Sequence, residues 1–409
     1  MKETVDRISS LPDEILTHIL SFVTTKEAVQ TCILSKRWRN TWASVPVLKF
    51  EYDNSHLDGN TVEDWKFEQF VDGVLQNRRA LLDTVIYDCD FNHSTWEPSM
   101  EWLHRVALLM PRVISVDITA AENFECPDSV FSCPILESLK LSLYSRYDYT
   151  IVAPKSIALP SLVTLELCDS ELNDNFMQKL FLGCPALESL NLQDCVLYVS
   201  HVSSNMLKNL ALSECLQIHS MRISCPGLVS LSIFSTSHNI GCISLENMAS
   251  LVNADIKLLG MDLGRMDDNS GFHYLPNLKL VSGLSNTTCL VLHLDYSPEL
   301  QLQWEKDIAN CRTFKNLKIL KIISDDIIDD FDLIACFLQR SPSLQQLTLI
   351  GSLTEIEGDT HEEPRQEICF QREYLENVTI SCEKGDEFAS KLVSMLGKYV
   401  KTIGNIIIV

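Results

Sequence analysis

Cys184-Pro185-Ala186-Leu187-Glu188-Ser189-Leu190-Asn191-Leu192 is the stretch on which the fold turns. Its leucines stand at the fourth, seventh and ninth places. The seventh and ninth point to one face of a strand, because strand side chains alternate. The fourth turns in beside them. The proline at the second place ends the preceding segment and starts an extended one. The pattern recurs upstream as MPRVISVDI (110–118), CPILESLKL (133–141) and LPSLVTLEL (159–167). Downstream it recurs as SNMLKNLAL (204–212), CPGLVSLSI (225–233), MASLVNADI (248–256), FKNLKILKI (314–322), SPSLQQLTL (341–349) and REYLENVTI (372–380). The first seven copies start 23, 26, 25, 20, 21 and 23 residues apart. Units this short cannot bury their own leucines, so each must stack on the next and the strands must form a parallel sheet.

This period and the L-x-x-L-x-L core resemble leucine-rich repeats. The expected fold class is α/β, with a repeat solenoid over residues 110–370 and a parallel concave sheet. Phe176–Phe181 before Gly183, and Ile334–Leu338 before Ser341-Pro342, read as short helices between strands. The register weakens over residues 257–313, where faint copies surround Tyr274–Leu278 and Leu290–Leu294. Residues 51–109 read as an atypical N-terminal repeat or linker, with Leu81–Asp90 a candidate first strand. Residues 371–409 read as a strand–helix–strand cap: a helix over Lys391–Leu396 and a buried last strand at Ile406–Val409. Glu357–Arg365 is polar and reads as a loop.

The first fifty residues differ in charge. They hold seven Lys/Arg against five acids, whereas the rest holds 26 against 50. Three short helices can be read there. Pro12 suits a first helical position, and Asp13 and Glu14 favour the positive helix end. Ile15, Leu16, Ile19, Leu20, Phe22 and Val23 give the first helix a wide apolar face. Thr24 and Glu27 form a capping box for the second. Ser35 is a candidate cap for the third, with Trp38 and Trp42 stacked one turn apart. About forty residues cannot easily cover so much apolar surface alone. They form either a cap on a larger core or a docking surface.

Leu11-Pro12-Asp13-Glu14-Ile15-Leu16-Thr17-His18-Ile19-Leu20-Ser21-Phe22 and Leu34-Ser35-Lys36-Arg37-Trp38-Arg39, in this order and spacing, resemble an F-box over residues 7–50. With the repeats, the arrangement resembles plant F-box proteins with leucine-rich repeats and a C-terminal FBD-like segment at 371–409. The resemblance implies a three-helix module that binds a Skp-type adaptor and through it joins a cullin–RING ubiquitin ligase, the chain being a non-catalytic, substrate-recognition subunit. Carried over by position, Leu11, Pro12, Ile15, Ile19, Leu34 and Trp38 would touch the adaptor. Leu16, Leu20 and Ile33 are open between adaptor contact and internal packing. The alternative is a repeat scaffold or receptor acting outside any ligase.

Composition narrows the rest. Of 409 residues 46% are hydrophobic, too many for a disordered chain. The net charge of -22 argues against nucleic acid or an anionic membrane as partner, and modestly favours a basic protein. Fifteen cysteines, none in a CxxC pair, fit a reducing compartment, cytoplasmic or nuclear. No phosphate-cradling glycine loop, GxSxG or HExxH is present, and no cofactor or metal is expected. Asp325, Asp326, Asp329 and Asp330 lack the glycine and closing glutamate of a calcium loop. Cys133, Cys184 and Cys225 read as buried spacers at one repeat place. Binding therefore falls to side chains flanking the inward leucines: Asp117, Lys140, Glu166, Asn191, Phe234 and Lys321 are the candidate substrate contacts, with Ile319, Ile323 and Ile350 as apolar companions.

Overall fold

The computed structural model describes residues 8, 10–53, 61–91, 97–120, 126–145, 150–151, 154–235, 243–258, 280–294, 307–308, 311, 313–324, 327, 331–351, 372–382 and 385–408. The copy at Tyr274–Leu278, the four aspartates 325, 326, 329 and 330, and the polar stretch 357–365 lie outside them. The chain divides into two compact units, Met1–Val196 and Leu197–Val409.

Unit 1 opens with α1 (Asp13–Leu20) and α2 (Thr25–Gln30). Pro12 is the N-cap of α1 rather than its first residue, and Asp13 and Glu14 occupy the first turn. The capping box at α2 is complete. The Glu27 amide donates to Thr24 Oγ1 at 3.2 Å, and the Thr24 amide donates to Glu27 Oε2 at 2.9 Å. Those hydrogen bonds hold the Glu27 carboxyl below its ordinary pKa. The third helix differs from expectation. It is a 3-10 segment, Trp38–Ser44, which Ser35 does not cap, and a second 3-10 turn, Thr31–Ile33, ends the chain segment begun by α2. Pieces this short gain too few i→i−4 bonds to repay α-helix nucleation, and 3-10 turns are the usual outcome.

Six parallel strands follow in register: β1 (Val47–Asp53), β2 (Thr84–Phe91), β3 (Val113–Ala120), β4 (Ser138–Ser145), β5 (Thr164–Cys168) and β6 (Ser189–Gln193). The parallel register therefore runs through residues 51–109, with β2 overlapping the candidate strand Leu81–Asp90. Their strands are hard to see because aromatics replace leucines: Phe50 and Tyr87 are buried and stack on each other, and Trp102 of the helix Glu97–Leu108 stacks on Tyr87. β1 starts inside the expected F-box boundary, and hydrogen bonds tie the helices to the chain that follows. Thr25 Oγ1 accepts from the Lys49 amide at 2.8 Å, and the Ala43 carbonyl from the Arg79 amide at 2.9 Å.

Among the described residues of unit 2, the main sheet runs through eight parallel strands: β7 (Asn209–Ser213), β8 (Ser230–Ser235), β9 (Asn253–Leu258), β10 (Cys289–Leu294), β11 (Ile319–Ser324), β12 (Gln346–Gly351), β13 (Arg372–Cys382) and β14 (Val400–Ile408). The register is unbroken through the stretch where the nonamer fades. Helices Phe331–Arg340 and Gly385–Tyr399 cover two of the crossovers. The FBD-like segment continues the sheet, but its last strand is not buried: Ile406, Ile407 and Ile408 are about half exposed. Apolar composition alone cannot distinguish a central strand from one with a neighbour on a single side.

In both units inward leucines stack in register rows, such as Leu139, Leu165 and Leu190, all essentially inaccessible. Each such side chain contributes roughly 2 kcal/mol of burial. Cys133, Cys184 and Cys225 are buried as spacers, and the Cys133 thiol donates to the Pro111 carbonyl one repeat back. A second periodic feature escaped the nonamer. Asp169, Asp194 and Glu214 follow β5, β6 and β7 with φ of 54°, 50° and 52°. The next residue, Ser170, Cys195 or Cys215, bonds back to the carbonyl two positions before it.

Candidate functional site

Two surfaces remain once the core is assigned. The first lies on the N-terminal helices. Leu16, Leu20, Ala28, Trp38 and Val45 form one buried cluster, with Leu11, Val23, Trp42 and Val47 packed against it. What that cluster leaves outside is apolar. Ile15 and Ile19, four residues apart on α1, point outward with Phe22. Ile33 is 84% exposed and Leu34 64%, against 5% for Trp38. Among the expected adaptor contacts, then, Pro12, Ile15, Ile19 and Leu34 are exposed, and Leu11 is half-buried. Trp38 is a correction: it packs into the module's own core, because a short bundle must spend its largest side chain on itself. The ambiguous trio also divides, with Leu16 and Leu20 buried and Ile33 outside. Arg37 braces the entry to α1, with Nη2 2.6 Å from Asp13 Oδ1 and bonded to the Leu11 carbonyl.

The second surface is the outward face of the sheets. In unit 1, Lys140, Glu166 and Asn191 share one register row, and Lys140 Nζ meets Glu166 Oε1 at 3.1 Å. That bond raises the Lys140 pKa. Asp117 sits in the next row, aligned with Glu51 and Asp88 on one side and Ser142 on the other. Ser142 Oγ donates to Asp117 at 3.2 Å. Beyond this row burial pushes the Asp169 carboxyl up to about 6, helped by Asp194 and Asp117.

That shift has a consequence for stability. A folded-state pKa above the unfolded value means stability is complete below about pH 4 and is lost as pH rises through about 6. Asp169→Asn keeps a side chain suited to positive φ and removes the charge. We expect it to match the parent below pH 4 and to exceed it by about 1 kcal/mol at pH 7.5, after discounting for half-exposure. Urea titrations at the two pH values test this; equal differences at both would refute it.

In unit 2, Phe234, Lys257, His293, Ile323 and Ile350 form one continuous row across β8 to β12. Lys257 Nζ lies 4.5 Å from the centre of the Phe234 ring, and His293 meets that ring edge-on. His293 Nε2 is 3.1 Å from Asp255 Oδ1. Lys321 stands one row away, between Val291 and Thr348. Sequence reasoning named Phe234 and Lys321 as candidates but not Asp255, Lys257 and His293. The signal was the alternation in Leu290-Val291-Leu292-His293-Leu294, which continues the register set by Ala254 and Ile256. Among the described residues no His/Cys/Asp/Glu group is placed to hold a metal ion, and no helix is long and apolar enough to cross a membrane.

Family models match two parts of the chain. A family model for the F-box domain matches residues 8–50. Another, described as FBD-associated F-box protein At5g56370, LRR repeats, matches residues 101–243. F-box/LRR-repeat protein At2g42720 of Arabidopsis thaliana is 33% identical over 85% of this chain and 79% of its own length. F-box/LRR-repeat protein 13 of the same plant is 28% identical over 96% and 87%. F-box/FBD/LRR-repeat protein At1g78750, also of that plant, is 27% identical over 85% and 77%.

Proposed function

The chain belongs to the F-box/LRR-repeat protein family, and from that premise we propose that it is the substrate-recognition subunit of a Skp–cullin–F-box ubiquitin ligase. The N-terminal helices dock on a Skp-type adaptor, and the repeats hold a protein substrate. Transfer takes place on other subunits, so this chain contributes proximity and orientation. One observation carries the reading. Ile15, Ile19, Ile33 and Leu34 stay outside a module that has already formed its own core. An apolar surplus beside a filled core is the mark of an interface.

The test is co-elution. The full chain is mixed with a recombinant Skp-type adaptor, then with adaptor plus the adaptor-binding part of a cullin. A ternary complex is the expected result. Failure to capture the adaptor would overturn the reading. Capture of the adaptor with exclusion of the cullin would instead favour a scaffold outside any ligase.

A further inference from the structure

The outward face of the unit 2 sheet carries two lysines with no carboxylate partner among the described residues, in a chain of net charge -22. Three other cations on strands are paired: Lys140 with Glu166, Arg222 with Glu246, Lys401 with Glu373. Among the described residues, Lys257 lies over the face of Phe234. Asp255, two residues before it on β9, is engaged by His293 on β10. Lys321 on β11 has Val291 and Thr348 as register neighbours. Beside these lysines run the half-buried side chains of Phe234, Ile323 and Ile350. The face thus offers positive charge at one end of a row and aliphatic surface at the other.

We propose that this face binds an extended segment of a protein partner in which an acidic side chain is followed, four positions later, by a large aliphatic one. The proposal rests on the reading of the repeats as the partner-holding part and names the chemistry they select. The spacing comes from geometry. Lys257 on β9 and Ile350 on β12 are three strand steps apart in one row. At about 4.8 Å per step that is about 14 Å. An extended segment crossing the strands advances about 3.4 Å per residue, so four residues cover the same span. Side chains two and four positions apart also point the same way, so both ends of the motif meet the sheet. The acid meets Lys257, with Lys321 adding to the field, and the aliphatic side chain lies on Ile323 and Ile350.

The sign opposes the basic partner expected from net charge. Net charge acts at long range and is screened beyond about 8 Å in physiological salt, whereas contact charges set specificity. A polynucleotide would also meet the lysines, but the aliphatic half of the row gives its bases nothing to stack on, and the whole chain repels it.

Short fluorescent peptide pools test this on the intact chain by anisotropy. One pool fixes Glu with Leu four positions on, in a Gly/Ser background. A second replaces Glu with Lys, and a third moves Leu one position closer. The first pool should bind about tenfold more tightly than either control. Lys257→Glu combined with Lys321→Glu should reverse the preference toward the Lys pool. Equal binding of the Glu and Lys pools, indifference to the double substitution, or indifference to the Leu position would each overturn the proposal. Peptide selection is read without the adaptor, and the double substitution should leave adaptor capture intact, so the two readings fail separately.

Discussion

Ile19→Asp should weaken capture of a Skp-type adaptor by about 100-fold or more and leave the thermal unfolding of the chain unchanged. Ile19 lies beside the cluster formed by Leu16, Leu20, Ala28, Trp38 and Val45 but outside it, 43% exposed. In the free chain an aspartate there would stay in water, so folding loses almost nothing. In a complex the carboxylate would be trapped against apolar surface. An unpaired buried charge costs several kcal/mol, and about 2.7 kcal/mol already corresponds to 100-fold. Trp38→Ala is the necessary contrast. Trp38 is inside the cluster, and removing a buried tryptophan costs about 3–5 kcal/mol. It should therefore abolish capture by unfolding the N-terminal helices, visible as lost helical circular dichroism. The two substitutions separate surface from core: loss of binding with fold retained for Ile19, loss of both for Trp38. Unchanged adaptor affinity in the Ile19 variant would remove this face from the docking assignment.

That contrast marks where sequence reading ends. The repeat strands were legible because burial constrains them twice, by alternation along the strand and by stacking between repeats. Leu139, Leu165 and Leu190 could hardly be anything but large and apolar. The F-box residues were legible as a resemblance, yet the resemblance alone placed Trp38 on the wrong side. A pattern of apolar residues reports that each is buried somewhere, not whether the covering atoms belong to the same chain. The early repeats were obscured because Phe50 and Tyr87 fill the core in place of leucine. The candidate ligand row was half missed for the opposite reason. Outward positions carry no packing rule, so Lys257 and His293 emerge as neighbours only once β8, β9 and β10 are in register. The same logic explains the overlooked turn at Asp169, Asp194 and Glu214, where the constraint is backbone φ and not hydropathy.

Backbone constraint also governs the second large effect. Gly183→Ala should destabilise unit 1 by about 3 kcal/mol, whereas Gly73→Ala should stabilise it by about 1 kcal/mol. A Cβ built on Gly183 would stand 2.1 Å from the Ile157 carbonyl oxygen and 2.6 Å from its carbonyl carbon. Both are main-chain atoms and cannot rotate away. The Leu159 amide donates to the Gly183 carbonyl at 3.0 Å, so separating the two segments also weakens that bond. Ile157 and Leu159 are buried and would be drawn out of their packing. Gly73 is the reverse case. It lies within the helix Thr61–Gln76, and a Cβ there would meet nothing within 4 Å. Alanine then narrows the unfolded ensemble at no steric cost. Because stacked repeats contact chiefly their neighbours, the Gly183 defect should stay local. Hydrogen exchange should rise first in the segments joining β4, β5 and β6, and urea unfolding should broaden. A Gly183→Ala chain as stable as the parent would mean that the 157–159 segment can yield, and that close packing between successive repeats is less binding than these distances require.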